Sequence, residues 1–142
     1  MIPALAARVK NIKSVMGNKV RDIIKIMAIK IINDTISKEE LRNIAENQFG
    51  DLVKAVVDVK KEIMAIGGEL HADEETILLE QGSQQEDLWG INLYPNISDS
   101  DNRFIEFDSM INVRPAQENR SRGIESFEIQ KKIRDIVSKL IL

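Results

Sequence analysis

The chain has 142 residues, 43% apolar and 30% charged, with a formal net charge of −3. That length suits one domain, large enough to hide roughly 70% of its unfolded surface. No cysteine is present, which excludes a disulfide framework, a thiolate metal site and a cysteine nucleophile, and no apolar run approaches the ~20 residues of a spanning helix.

The charge is unevenly spread. Residues 1–26 carry Arg8, Lys10, Lys13, Lys19, Arg21 and Lys25 against Asp22, a net +5, while the remainder holds 14 basic and 22 acidic residues, a net −8. Such a split points to a basic segment appended to an acidic domain. The acidic body argues against broad nucleic-acid binding, which needs clustered Lys and Arg on phosphates. The expected location is the cytoplasm.

Residues 3–27 form the first expected element, a basic amphipathic helix. Leu5, Val9, Ile12, Met16, Val20, Ile23 and Met27 recur every three or four residues, the helical period, with Gly17 interrupting them. Three readings stand side by side: a packing helix, a membrane-surface or partner helix, and an extension upstream of a natural start at Met27. The domain division is therefore a basic helical extension over 1–26 and a single domain over 27–142.

Residues 29–32 read as a short strand. Ser37-Lys38-Glu39-Glu40 is a capping-box sequence, with Ser37 accepting from the Glu40 amide, and the helix it opens runs to about 49 with Leu41, Ile44 and Ala45 on one face. Gly50 ends it. Residues 52–59 alternate, with Val53, Ala55, Val57 and Val59 on one side. Lys60-Lys61 turns the chain, and 63–66 returns as a strand apolar on both sides, hence central. After Gly67-Gly68 a short helix is expected from about 71–73 to 81, its acids suiting the positive helix end and Gly82 its exit.

The next expected strand is 88–94, with Trp89, Ile91 and Leu93 on one face and Asn92 and Tyr94 on the other. A polar loop follows over 95–102. Alternation resumes over 104–114, with Ile105, Phe107, Ile111 and Val113 inward. A loop over 115–123 precedes a final amphipathic helix over 127–142, whose stripe is Ile129, Ile133, Ile136, Val137 and Leu140. This order predicts an α+β fold: an antiparallel sheet of four or five strands, helices on one face, and a C-terminal packing helix. Trp89, Ile91, Phe107, Ile111, Ile133 and Ile136 should share a core. Lys54, Asp58, Asn92, Tyr94, Asp108, Asn112 and Arg114 should line the opposite, polar face.

Three groupings could carry chemistry. Glu69, His71, Asp73, Glu74 and Glu75 surround the sole histidine; imidazole beside carboxylates suits acid–base work or a metal. Glu69, His71 and Asp73 are the metal candidates, an oxygen-rich divalent site being the better option, although a helix start explains the acids without further role. The loop 114–123 holds Arg114, Asn119, Arg120, Ser121 and Arg122. Guanidinium forks match phosphate or carboxylate, while pairing with nearby acids is the plainer account. The face bearing Asn92, Tyr94, Asn112 and Arg114 suits directional hydrogen bonding, and solvated sheet faces look similar. Arg114 could join this face to the loop. No P-loop, dinucleotide fingerprint, nucleophile elbow or His-Glu-x-x-His is present, and no cofactor is expected.

The blocks GGELHADEE and GSQQEDLWGINLYP, with SKEEL, FGDLVKAVVDV, FDSMINVRP and NRSRG, resemble a small prokaryotic family of uncharacterised proteins, a domain of unknown function. The resemblance runs over about 27–142. It implies a small stand-alone protein and brings no reaction, cofactor or site residue with it. The functional expectation is a non-enzymatic module binding an anionic small ligand or a protein partner through Asn92, Tyr94, Asn112, Arg114, Asn119, Arg120, Ser121 and Arg122. The alternative is a phosphoryl- or phosphodiester-directed enzyme, such as toxin-like RNA cleavage, with His71 as base and Arg114, Arg120 or Arg122 stabilising charge. Oligomerisation is compatible with either.

Overall fold

A computed structural model describes residues 18–142. Leu5, Val9, Ile12 and Met16 of the expected first helix lie outside the described residues. Its end is helical, α1 (Asn18–Met27). Val20 of α1 is buried, and Lys25 pairs with Glu69 at 3.1 Å.

Strands β1 (Lys30–Ile32), β2 (Val53–Asp58), β3 (Ile63–Ile66), β4 (Leu88–Leu93) and β5 (Ile105–Glu106) form one sheet in the order β1-β3-β2-β4-β5. Every neighbouring pair is antiparallel. The turn between β2 and β3 is held by Asp58, whose Oδ1 accepts from the Lys60 and Lys61 amides, both at 2.9 Å. Helices α2 (Lys38–Asn47), α3 (His71–Glu80) and α4 (Phe127–Leu140) complete the α+β fold. The Ser37 hydroxyl caps α2 by accepting from the Glu40 amide at 3.1 Å, and Gly50 and Gly82, both at positive φ, follow α2 and α3 where a side chain would strain the backbone.

The period-two pattern of the strands sorts their side chains between the two faces. Val53, Ala55 and Val57 meet Trp89, Ile91 and Leu93 on the first face, and Ile133, Ile136, Val137 and Leu140 of α4 pack there with Leu41 and Ala45 of α2. The C-terminus is fastened by backbone bonds from Ile36 to Leu140 (2.8 Å) and from Leu142 to Ile36 (3.0 Å).

The second face departs from the expected open polar surface. Val56, Ala65 and Leu88 form a smaller core there beneath Leu78 of α3. Of the residues placed on that face, Asp58, Asn92 and Asn112 are buried, and Asp58 and Asn112 spend their side chains on backbone groups of the fold. The long strand expected over 104–114 is also corrected. β5 ends at Glu106, and Met110–Asn112 is a 3₁₀ turn. The Ser109 hydroxyl accepts from the Ile111 amide (3.2 Å), which bends the chain where the alternation would have continued it straight. Ile111 therefore packs on the second core while Phe107 remains against the first, and Val113 is exposed. Gly90 makes this crossing possible: a Cβ there would sit 2.5 Å from Ser109 Cβ.

Candidate functional site

The strand register sets Lys54, Asn92 and Glu106 side by side across β2, β4 and β5. Neighbours across antiparallel strands project to the same face, so this is a polar row. Helix α3 supplies His71 and Glu74, three residues apart and hence on one helix face. Both are buried, Glu74 completely.

His71 Nε2 donates to the Ile91 carbonyl at 2.8 Å; a carbonyl only accepts, so this nitrogen carries the proton. Nδ1 has no protein partner among the described residues and is not among the sealed, unpaired atoms. Burial holds the His71 pKa below its ordinary value against the opposing pull of the Ile91 bond, and the charges of Lys54 and Arg122 lower it further while Asp108 raises it. The result at neutral pH is a neutral imidazole with an open lone pair on Nδ1, within the field of two cations.

Glu106 Oε1 accepts from Asn92 Nδ2 (2.9 Å) and from the Tyr94 hydroxyl (3.0 Å). Burial, reinforced by Glu106, pushes the Tyr94 pKa up to about 12. Asn92 Oδ1 is buried without a partner. Arg122 Nε donates to Asp108 Oδ1 at 2.7 Å. The Lys54 ammonium lies 5.3 Å from the centre of the Phe49 ring and, among the described residues, has no ion pair.

Glu74 closes the inner end of the row. Its Oε2 accepts from the Gly68 amide at 2.9 Å, while Oε1 is buried with no partner. Gly68 is needed for this approach, since a Cβ there would lie 2.7 Å from Glu74 Cγ. Burial raises the Glu74 pKa well above its ordinary 4.5, outweighing the Gly68 bond and the Lys54 charge. A carboxyl whose folded pKa is raised holds its proton longer when folded, so stability is full below the ordinary value and declines as pH climbs through the folded one. His71, with a lowered pKa, has the opposite sign: stability is gained as pH rises toward its ordinary value. Glu74→Gln, which mimics the protonated acid, separates the two. Urea unfolding from pH 5 to pH 8 should show the variant gaining on wild type as pH rises; parallel profiles would contradict a raised Glu74 pKa.

The other expected binding residues are dispersed. Arg114 lies at the opposite end of the sheet, its side chain only 9% exposed and paired with Glu75 at 3.4 Å. It donates to the carbonyls of Ile111 (3.0 Å), Gln85 (2.8 Å) and Leu88 and stacks 4.9 Å from the Trp89 ring. Asn112 and Asn119 are buried and bond to backbone. Arg120 and Ser121 are exposed on the loop beyond. Glu69 pairs with Lys25 while His71 bonds inward, and among the described residues no three His, Asp or Glu side chains converge to hold a metal. Sequence reasoning placed Lys54 on this face but left it, Glu74 and Glu106 out of the binding set. The alternation of β2 and β5 contained the signal for Lys54 and Glu106.

The structure thus defines an α+β domain built on one five-stranded antiparallel sheet, with a row of polar side chains partly roofed by α3. The family described as "Protein of unknown function (DUF5674)" matches residues 30–140, and the chain belongs to it. Searches of curated proteins and of solved structures each return no match. Among the described residues no helix is long and apolar enough to cross a membrane.

Proposed function

We propose that the protein is a non-enzymatic binding module for a small anionic ligand, with the anionic group received between Lys54, His71 and Arg122 beside Asn92 and Tyr94. The observation that carries this reading is the Lys54 ammonium, without an ion pair among the described residues of an acidic protein. A cation left unneutralised beside a polar row, half of it buried, focuses an anion there. Arg122 is the loop guanidinium within the field of His71, and one of its nitrogens is committed to Asp108. Relative to the binding set read from the sequence, Lys54 and His71 enter; Arg114 leaves, occupied by three carbonyls and Glu75, as do Asn112 and Asn119, bonded to backbone, and the loop residues Arg120 and Ser121.

Calorimetric titration with inorganic phosphate and with butyrate tests the reading. Lys54→Ala should weaken the anion by about tenfold, the worth of one charge-assisted contact. Binding should also strengthen as pH falls, because an anion beside His71 Nδ1 draws a proton onto it. Wild type that answers to neither phosphate nor butyrate overturns the proposal.

One observation favours the second reading, phosphoryl- or phosphodiester-directed catalysis. A neutral histidine with Nε2 anchored and Nδ1 open is the form a general base requires. Under that reading Arg122 is the charge stabiliser. Turnover of bis(4-nitrophenyl) phosphate or of RNA by wild type, lost in His71→Gln, would select it.

A further inference from the structure

Resting on the anion-binding reading, we infer that the ligand is a zwitterion, its anionic group at the Lys54 end of the row and an ammonium group on Glu106. The outer end of the row opens into a cavity of about 360 Å³ lined by Tyr94, Ile97, Arg103, Ile105 and Glu106. That volume lies at the lower end of ordinary small-molecule sites, roughly 300–1,000 Å³. The Glu106 carboxylate faces no cation partner among the described residues. Its Oε1 is already oriented by Asn92 and Tyr94, which leaves Oε2 to accept from a ligand. Arg103 shares the cavity, but its guanidinium is spent on Asp101, with bonds of 3.2 and 2.8 Å. The polar part of the cavity therefore presents a carboxylate with no ion pair among the described residues.

The spacing narrows the class. Adjacent strands lie about 4.8 Å apart, so the backbones of Lys54 and Glu106, two strands apart, are separated by roughly 10 Å. An α-amino acid, whose charges are about 3 Å apart by ordinary covalent geometry, spans little of that. An ω-amino acid or an aminoalkyl phosphate, with several carbons between its charges, fits the row better.

Titration of the full chain with butyrate, butylammonium, glycine, 4-aminobutyrate and 6-aminohexanoate, followed by calorimetry or amide chemical shifts, tests this. The zwitterion with the best-matched chain should bind about tenfold more tightly than butyrate, the increment of one added charge-assisted contact. In Glu106→Gln the affinity ratio of that zwitterion to butyrate should fall to about one. Glu106 is exposed, so the variant should fold, and its thermal unfolding checks that it does. If butyrate binds but no aminocarboxylate improves on it, or if the ratio survives Glu106→Gln, the zwitterion inference is wrong while the anion reading stands. If wild type responds to butylammonium and to neither butyrate nor phosphate, the anion reading itself is wrong, and the zwitterion falls with it.

Discussion

Arg114→Ala should destabilise the domain by about 3 kcal/mol, at the lower end of what removing one partner of a buried ion pair costs. Three features produce the loss. The side chain is 9% exposed and its partner Glu75 14%, so Glu75 would be left without its counter-charge in a half-buried place. The carbonyls of Ile111, Gln85 and Leu88 would lose their guanidinium donor. The Trp89 ring would lose a stacked cation. Arg114→Lys should recover only part, because an ammonium cannot reproduce a fork that reaches several carbonyls at once. In a domain of this size the loss corresponds to a fall in Tm of about 10 °C. Arg120→Ala, on an exposed loop side chain, is the control and should be close to neutral. Urea midpoints for the three variants decide the matter: if Arg114→Ala were as harmless as Arg120→Ala, Arg114 would be a spare cation available to a ligand.

The second large effect is expected at Asn112, which is fully buried. Its Oδ1 accepts from the Gly90 amide at 2.8 Å, and its Nδ2 donates to the carbonyls of Gly90 (2.9 Å) and Arg122 (3.0 Å). The side chain thus imitates a neighbouring strand for one residue of β4 and ties the 122 backbone to it. Asn112→Ala removes all three bonds and leaves buried backbone groups unpaired, a loss of about 3–4 kcal/mol at roughly 1 kcal/mol or more per bond. Asn112→Asp keeps the acceptor and loses both donations, so it should also destabilise strongly. Because Arg122 is positioned through this contact, anion affinity in any Asn112 variant that still folds should fall with stability. A variant with wild-type unfolding would show that water replaces the amide without loss, and the loop would then be held by Asn119 and by the backbone bond from Ser109 to Arg122 (3.0 Å).

Both residues were visible in the sequence as candidate ligand contacts, and the reason they turned inward is instructive. An amide or a guanidinium beside a polar loop has the same composition whether its partner is a ligand or the chain's own carbonyls. Which partner it meets depends on groups distant in sequence: Arg114 meets Gln85, Leu88 and Glu75, and Asn112 meets Gly90. The alternation over 104–114 failed for a related reason. Period two is necessary for a half-buried strand, but Ser109 offers its own hydroxyl to the Ile111 amide, and such local side-chain bonds compete with ladder pairing.

Local, short-range physics is readable in the sequence. The Ser37 cap lies three residues from its partner amide, Gly50 and Gly82 take positive φ where helices must stop, and Val53, Ala55 and Val57 share a face by period alone. The same holds for the apolar stripe of α4, and from these follow the α+β class and the first core. The candidate site was decided by packing. Lys54, Asn92 and Glu106 become a row only through the register of β2, β4 and β5. His71 becomes a neutral base-like imidazole only because α3 lies against the sheet and brings its ring to the Ile91 carbonyl of β4. Glu74 reads as a helix-start acid in the sequence, and burial over Gly68 raises its pKa well above the ordinary carboxylate range. Desolvation and the charges of distant neighbours set these properties, and both depend on contacts between residues far apart in the chain, which periodicity and capping do not encode.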